Sequence, residues 1–283
     1  MKQITNQEMS ILIDKALSGD KESLESIILS VQDLIFNLSL RMLGTFADAE
    51  DAAQDIILKI ITNLSSFKKQ SSFTTWVFSI ASNHLKNYKK HMFAHMPLSF
   101  EYYGNDIENG NIHDIPDLTQ NVEKAILADE LKMSCTNVML QCLDAESRCI
   151  FILGTMFKLD SRIAGEVLGL TPEAYRQRLS RIRKKMASFL EKYCGEYGYG
   201  KCKCINRLNY AIQNHRLDPA QLDYTTADVI SDQTMIDVKD TMEQIDDLSQ
   251  EFSFCKSYKS PERTKKFIKD FLNSAQFSII KDA

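Results

Sequence analysis

The sequence contains little glycine and proline. It has 10 glycines and 5 prolines among 283 residues, about 5% of the chain where roughly 12% is usual. Turns depend on these two residues, so the shortage argues against a turn-rich all-β protein and against a Pro/Gly-rich disordered chain. The length suits about two domains of roughly 100–150 residues, each able to form its own core.

Long apolar runs are also absent from the sequence. No stretch approaches the roughly 20 apolar residues that a membrane span needs, and the polar N-terminus lacks the continuous apolar segment of a signal peptide. The seven cysteines are an odd number without a paired framework, which favours a reducing compartment. We expect a cytoplasmic protein with no membrane span.

The net charge of −4 shows no strong excess of either sign, and taken alone it argues against a nucleic-acid binder. The distribution of charge argues otherwise. Residues 144–217 hold 14 basic and 7 acidic residues, whereas residues 97–143 and 218–251 together hold 3 basic and 18 acidic residues. Because nucleic-acid affinity depends on where basic residues cluster, the chain can present a basic surface between acidic segments.

Apolar residues recur at helical spacing in three segments of the first 92 residues. They occupy one face of residues 24–42, 52–64 and 73–88, while polar residues occupy the other face. Amphipathic helices with short connections form compact bundles. Residues 93–119, by contrast, combine acids, glycine and proline with little periodicity, and we interpret them as a linker.

Helical patterns return after the linker and end in a helix-turn-helix motif. Asp160 can cap a short helix that ends at Gly169, and Thr171 with Pro172 can open a longer basic helix. The second helix of such a motif enters the major groove, where arginine pairs with guanine and glutamine with adenine. The alternative is a solvated basic helix on an ordinary helical domain.

Residues 67–90 combine aromatic side chains, a polar loop and a lysine-bearing helix face. Aromatic rings stack on exposed bases while lysines hold the backbone, as in single-strand binding sites. Periodicity alone favours a plainer interpretation, in which Phe73, Trp76 and Tyr88 belong to the core. Both interpretations stay open at this point.

Two segments carry a family resemblance. DAEDAAQDIILKIITNLSSFKKQSSFTTWVFSIASNHLKNYKK resembles the sigma-2 domain, and LDAESRCIFILGTMFKLDSRIAGEVLGLTPEAYRQRLSRIRKKM the sigma-4 domain, of extracytoplasmic-function sigma factors of bacterial RNA polymerase. The resemblance covers roughly residues 5–192. It implies an all-α fold with a sigma-2-like domain at 1–92, a linker at 93–119, a sigma-4-like domain at 120–193 and a helical C-terminal extension at 194–283.

The resemblance implies promoter recognition and strand opening by a dissociable polymerase subunit without enzymatic activity. Its expected partners are core RNA polymerase and promoter DNA, with an anti-sigma factor as a further candidate. The helix face expected to dock on polymerase carries Asp51, Gln54 and Asp55. Residues expected at the −10 element are Lys68, Lys69, Ser71, Ser72, Phe73, Trp76, Asn83 and Lys86. Residues expected at the −35 element are Thr171, Arg176, Gln177, Ser180, Arg181, Arg183 and Lys184.

Two positions depart from the family pattern in the helix-turn-helix region. Lys158 stands where the family usually has glycine. Gly165 stands where alanine is usual, at a helix cost of about 1 kcal/mol. We therefore expect a −35 domain that is less rigid than is typical.

The C-terminal extension lies outside the family core. Cys194, Cys202, Cys204 and His215 have the complement of a zinc site, although the spacing is unusual and ordinary reduced cysteines are the alternative. Residues 234–248 form either an amphipathic helix or an acidic, disordered spacer. Beyond them, the pattern predicts a basic helix that opens at Ser260 and Pro261 and can contact phosphates. No other cofactor is expected.

Two other functions remain open from the residues themselves. The first is a helix-turn-helix regulator that acts without polymerase, which would bind duplex DNA but not the core enzyme. The second is a metal or thiol sensor centred on the extension, which would need bound zinc or an activity that responds to oxidation.

Overall fold

The computed structural model describes residues 4–88, 93, 98–110, 115–230, 256–274 and 277. Within these residues the regular secondary structure is helical, and β-pairing is confined to isolated bridges. The all-α class expected from the sequence is confirmed. The helix proposed for residues 234–248 lies outside the described residues.

The described helices range in length from 6 to 23 residues. They are α1 (Asn6–Leu17), α2 (Lys21–Leu43), α3 (Phe46–Thr62), α4 (Phe73–Lys86), α5 (Phe100–Asn109), α6 (Lys124–Gln141), α7 (Ala145–Phe151), α8 (Ser161–Leu168), α9 (Pro172–Tyr193), α10 (Leu208–Gln213) and α11 (Glu262–Leu272). Asp144, Asp160 and Thr171 each cap a helix with their side chains. Gly169 ends α8 in the left-handed conformation with φ of +68°, so the predicted caps of the helix-turn-helix region are present.

Helix α2 is the central element of the fold. It packs against α1, α3, α4, α6, α7 and α11, and 15 of its 23 residues are buried. By length and composition α2 could also cross a membrane, but 72% of its most apolar window is buried inside the fold. A helix that is apolar on most sides and covered by its neighbours is a core helix, and it does not indicate a membrane protein.

The structure differs from the sequence interpretation within residues 93–119. Helix α5 begins after Ser99, whose hydroxyl caps it, and lies against α9. Its aromatic residues Phe100 and Tyr103 contact the ring of Phe189 at centroid distances of 5.2 and 5.7 Å. This apolar stripe is short and acidic residues surround it, which conceals its periodicity in the sequence.

The two halves of the chain lie against each other. Helix α4 packs on α7 and α8, and α2 packs on α6 and α7. The rings of Phe78 and Phe157 meet across this contact with centroids 5.3 Å apart. One cluster of buried apolar residues runs through both halves. The division into domains at 1–92 and 120–193 therefore stays a prediction.

A buried arginine joins the two halves. Arg148 of α7 donates hydrogen bonds to the carbonyl oxygens of Met42 at the end of α2, and of Leu140 and Leu143 near the end of α6. The last carbonyl groups of a helix have no partner within the helix. Burial lowers the pKa of Arg148 to about 10, so its guanidinium remains charged at neutral pH and satisfies these carbonyls.

We expect Arg148→Ala to lower the free energy of unfolding by about 2–4 kcal/mol, because it leaves several buried carbonyl groups unpaired. Urea unfolding followed by circular dichroism measures the loss. Arg162→Ala is the control, since the Arg162 side chain is 80% exposed and its removal should change stability by less than about 0.5 kcal/mol. Equal effects of the two substitutions would contradict the role of Arg148.

Candidate nucleic-acid interface

Helices α8 and α9 pack against each other across the turn at Gly169. A Cβ atom on Gly165 would lie 2.7 Å from the backbone oxygen of Leu170, so this crossing requires a residue without a side chain. The glycine that weakens α8 as an isolated helix thus permits the close approach of the turn. Lys158, where the family usually has glycine, has φ of +52°, in the left-handed region that favours glycine.

One face of α9 is polar and open to solvent. Tyr175 anchors the opposite face, where its buried hydroxyl donates a hydrogen bond to the carbonyl oxygen of Ile150 at 3.0 Å. The guanidinium of Arg176 contacts Ser161 at 3.0 Å and Glu173 at 3.1 Å, which orients it at the start of the helix. The residues of the predicted −35 set that are exposed in the structure are Thr171, Arg176, Gln177, Ser180, Arg181 and Lys184.

Arg183 is placed differently from the other members of that set. Its guanidinium donates to the hydroxyl of Thr155 and to the carbonyl oxygen of Gly154, each at 3.1 Å. Both acceptors belong to the π-helical turn Ile152–Met156 that follows α7. Burial lowers the pKa of Arg183. The structure therefore uses this side chain as an internal tie, and the assignment of Arg183 to a DNA-facing surface does not match its position.

An aromatic cluster lies at the junction between the loop residues and the α4 residues of the predicted −10 set. The rings of Phe67, Phe73 and Trp76 have centroids 5.4–5.6 Å apart. Phe73 is only 4% exposed and belongs to the core, as the plainer interpretation of the sequence predicted. Trp76 is half-buried, so part of its ring reaches the surface.

A groove of about 330 Å³ lies between α1 and the loop before α4. Members of the loop that line it are Lys69, Gln70, Ser71 and Ser72. The ammonium of Lys69 lies 2.6 Å from a carboxylate oxygen of Asp14, and the exposed Lys68 is its neighbour. The hydroxyl of Ser72 accepts the Thr75 N–H and begins α4. The local helix start therefore fixes where the polar loop ends.

A larger groove of about 720 Å³ lies between α3 and α4. Trp76 and Asn83, both predicted to contact the −10 element, line it together with Asp55 from the predicted polymerase-docking face. Residues assigned to two different tasks thus share one surface. Lys86 lies outside this groove, where it is half-buried and close enough to α7 to act electrostatically on the thiol of Cys149.

The other residues of the predicted docking face lie beside this groove on α3. Asp51 is exposed and Gln54 is half-buried. One residue earlier, Glu50 pairs with Arg263 of α11 at 3.7 Å, and burial raises the pKa of the Glu50 carboxyl. Helix α11 therefore lies next to the surface that the sequence assigns to polymerase.

The predicted cysteine ligands of zinc lie near one another at the start of the extension, where Cys194 and Cys204 line a small cavity together with Cys135. The backbones of Cys194 and Cys202 pair in an isolated bridge, the N–H of Cys204 donates to Glu196 at 3.2 Å, and His215 lies in an exposed turn after α10. In the part of the chain that the structure describes, no three Cys, His, Asp or Glu residues are arranged to hold a metal ion. Burial raises the pKa of the Cys202 and Cys204 thiols. Zinc stays a prediction.

Three residues of these grooves are missing from the site sets predicted from the sequence. Phe67 completes the aromatic cluster, and Met9 and Ser10 of α1 line the loop groove. Phe67 directly precedes the loop lysines, so its position offered a signal. The contribution of α1 depends on tertiary packing and has no local signature.

Comparisons with known proteins show which proteins this chain is similar to. Residues 27–91 match the family described as sigma-70 region 2. The chain is 26% identical over 192 residues to the RNA polymerase sigma-H factor of Pseudomonas aeruginosa, covering 66% of this chain and 96% of that protein. It is 34% identical over 79 residues to the ECF RNA polymerase sigma factor SigW of Bacillus subtilis, covering 26% and 42%.

A solved structure, that of CnrH in complex with the cytosolic domain of CnrY, is similar at 20% identity and a TM-score of 0.47, with 64% of this chain and 95% of that chain covered. The family match spans most of α2, all of α3 and α4, the groove between α3 and α4, and the loop before α4. The chain belongs to the sigma-70 family of RNA polymerase sigma factors, in its extracytoplasmic-function group. It acts as a sigma factor in transcription initiation.

Arg183→Ala and Arg181→Ala form a matched pair, because only one of the two arginines serves the fold. We expect Arg183→Ala to lower the free energy of unfolding by about 1–3 kcal/mol, since Thr155 and Gly154 lose a charged donor. Arg181→Ala should change stability by less than about 0.5 kcal/mol. Thermal and urea unfolding measure both. A stability loss confined to Arg181→Ala would show that the internal tie is assigned to the wrong residue.

Proposed function

We propose that the exposed face of α9 reads the −35 element of promoter DNA, while the loop before α4 and the α3–α4 groove hold the opened −10 element. The polar face of α3, with Asp51, Gln54 and Asp55, docks on core RNA polymerase. The observation that supports this most is the combination of two surfaces in one chain. A helix-turn-helix with a solvent-exposed basic recognition helix suits duplex DNA, and the grooves around Trp76 suit a single strand.

The chemistry of the loop groove suits an extruded base. Taking a base out of the stack costs a few kcal/mol, which a pocket with polar contacts and an aromatic neighbour can offset. Ser71 and Ser72 offer hydroxyl groups, and Lys68 and Lys69 lie close by for the phosphates. Phe73 supports the floor of this region from the core and is not itself proposed to stack on a base.

The proposed partners are core RNA polymerase and promoter DNA, with an anti-sigma factor as a further candidate. The proposed location is the cytoplasm, where bacterial polymerase meets the chromosome. The chain supplies binding energy and base readout, and no catalytic step is proposed for it.

Reconstitution of the full chain with bacterial core RNA polymerase and a pool of promoter fragments tests this function. The expected result is initiation at a defined subset of promoters that depends on the chain. Binding to duplex DNA without binding to core polymerase would favour a regulator that acts alone. Initiation that requires added zinc or a change of redox state would move the functional centre to the extension.

Arg176→Ala or Arg181→Ala should weaken −35 recognition by about 1–3 kcal/mol, because each removes a donor that can pair with a base edge. Promoter fragments with intact and scrambled −35 elements measure the discrimination. Arg178→Ala is the control, since Arg178 lies on a different face of α9, where it pairs with Glu146. Loss of discrimination in the control alone would place the reading face elsewhere.

Asn83→Ala should reduce open-complex formation while leaving −35 binding intact, because Asn83 lines the α3–α4 groove. Permanganate reactivity of unpaired thymines measures opening, and gel shifts measure duplex binding. Asn109→Ala serves as the control, since the exposed Asn109 side chain donates to the carbonyl oxygen of Asn105 within α5. Unchanged opening with Asn83→Ala would reject the assignment.

A further inference from the structure

The C-terminal residues 256–260 lie along α2 and bond to it through their backbone. The side-chain amide of Asn37 donates to the carbonyl oxygen of Tyr258 at 2.6 Å and accepts the N–H of Tyr258 at 2.8 Å. Asp33 accepts the N–H of Ser260 at 2.7 Å. These side chains therefore recognise an extended backbone rather than particular side chains.

Arg41 continues the same stripe by donating to the carbonyl oxygen of Lys256. Asp33, Asn37 and Arg41 are each four residues apart, a spacing of about 6 Å along a helix. Alternate residues of an extended segment repeat at about 6.6 Å. The polar stripe of α2 thus matches every second residue of a peptide that runs in the opposite direction.

Aromatic packing and α11 reinforce this attachment. The Tyr258 side chain is fully buried, with its ring centroid 5.5 Å from that of Phe46 and 6.0 Å from that of Tyr224. The following helix, α11, packs on α2 and α3 and buries Ile268 and Leu272. The last described part of the chain is therefore held on the sigma-2-like half.

The preceding part of the extension is held on α6, in the other half of the chain. One carboxylate, that of Glu130, accepts hydrogen bonds at 2.8–2.9 Å from the backbone N–H groups of Asp223, Tyr224 and Thr225. The hydroxyl of Tyr224 accepts a hydrogen bond from Asn137 of α6 at 2.8 Å and donates one to the carbonyl oxygen of Gly44, at the end of α2, at 3.2 Å.

The two attached parts also pair with each other. The N–H of Ile230 donates to the carbonyl oxygen of Ser257, and the N–H of Lys259 donates to that of Asp228, each at 2.8 Å. Together, residues 218–230 and 256–272 form a strap that runs from α6 to α2 and α3. We use "strap" for these residues below.

The packed halves are too close together to engage both promoter elements. Helix α8 packs on α4 and on α9, and packed helix axes lie about 8–10 Å apart, so the axes of α4 and α9 are within about 20 Å where they flank α8. Elements centred at −10 and −35 are about 25 base pairs apart, which is about 85 Å of B-DNA at 3.4 Å per base pair. The two halves must separate before both elements are contacted.

We propose that the strap is an intramolecular clamp, docked on the Asp33–Asn37–Arg41 stripe of α2, that holds the chain in a closed state unable to engage the −10 and −35 elements together. This inference rests on the proposed roles of α4 and α9. It assigns the C-terminal extension a regulatory role, with release of residues 256–272 from α2 as the opening step.

The contacts of the strap are suited to release. Its bonds to α2 and α6 are largely hydrogen bonds between side chains and backbone, and water replaces the partner on opening. The bonds of Glu130, Asp33 and Arg41 involve charged groups and are the strongest of them. Interfaces between domains that move relative to each other are polar in the same way. Release of residues 256–272 exposes the buried side chains of Tyr258, Ile268 and Leu272, and separation of the halves then exposes the contact of α4 with α7 and α8.

Two substitutions in the full chain test the clamp, one on α2 and one in the strap. Asn37→Asp keeps the size of the side chain and the acceptor for the Tyr258 N–H, but it loses the donor and places a carboxylate against the Tyr258 carbonyl oxygen. Tyr258→Ala removes the buried ring of the strap. Asn214→Ala is the control, because the exposed Asn214 amide donates to the carbonyl oxygen of Tyr210, four residues earlier. Circular dichroism verifies that each variant keeps its helices.

Two measurements report on each variant: the radius of gyration of the free chain by small-angle scattering, and promoter-specific transcription with core polymerase as the chain is titrated. Asn37→Asp and Tyr258→Ala should both raise the radius of gyration. They should also lower the chain concentration for half-maximal transcription about five- to tenfold, because the open fraction limits apparent affinity. Since both act on one contact, the double variant should add little to either.

Values equal to the Asn214→Ala control in both measurements would overturn the clamp. A larger radius of gyration without a lower half-maximal concentration would also overturn it, since opening would then not limit promoter engagement. If neither the wild-type chain nor any variant directs transcription at any concentration, the proposed function fails instead. In that case scattering still decides whether the strap holds the halves together.

Discussion

The burial of polar side chains on α2 is the constraint on which the arrangement of the chain depends. Asn37 and Arg41 are 2% and 3% exposed, and a buried polar group without a partner costs about 1–3 kcal/mol. The Asn37 amide donates one hydrogen bond within α2, to the carbonyl oxygen of Asp33 at 2.7 Å, but its other bonds and those of Arg41 go to partners outside the helix. The guanidinium of Arg41 donates to the side-chain oxygen of Asn137 of α6 at 2.8 Å and to the carbonyl oxygen of Lys256 in the strap. The N-terminal half, α6 and the C-terminal extension therefore meet at one polar stripe.

The acidic and basic blocks of the sequence are partly explained by internal pairing. Asp106, from the acidic segment that contains α5, bonds to Arg216 at 2.5 and 2.8 Å and to Tyr210 at 2.6 Å. Burial alone would raise the pKa of Asp106, but these bonds outweigh it and hold the pKa below its usual range. Asp106 therefore ties the extension to α5, in addition to any effect of its charge on DNA.

Periodicity and capping residues predicted the long helices and their ends, because both depend on local chemistry. They could not distinguish Arg183 from Arg181, since position 183 lies at the border between the exposed and buried faces of α9 and only the turn after α7 makes it internal. The sequence likewise could not predict the role of Asn37, which is a polar residue within a largely apolar helix. Its partner is 221 residues away, and no local pattern indicates such a contact.

The location of the two predicted DNA-binding surfaces determines what any activating partner must do. In the closed chain, α4 and α9 flank α8, and α11 lies beside the face of α3 that carries Asp51. A partner that binds the halves only when they are apart shifts the population by its preference for the open state, and a ligand with equal affinity for both states shifts nothing. Polymerase surfaces that hold the two halves at the spacing of the promoter elements satisfy this condition. Docking and opening would then be thermodynamically coupled, and the strap would set how strongly the free chain is held away from DNA.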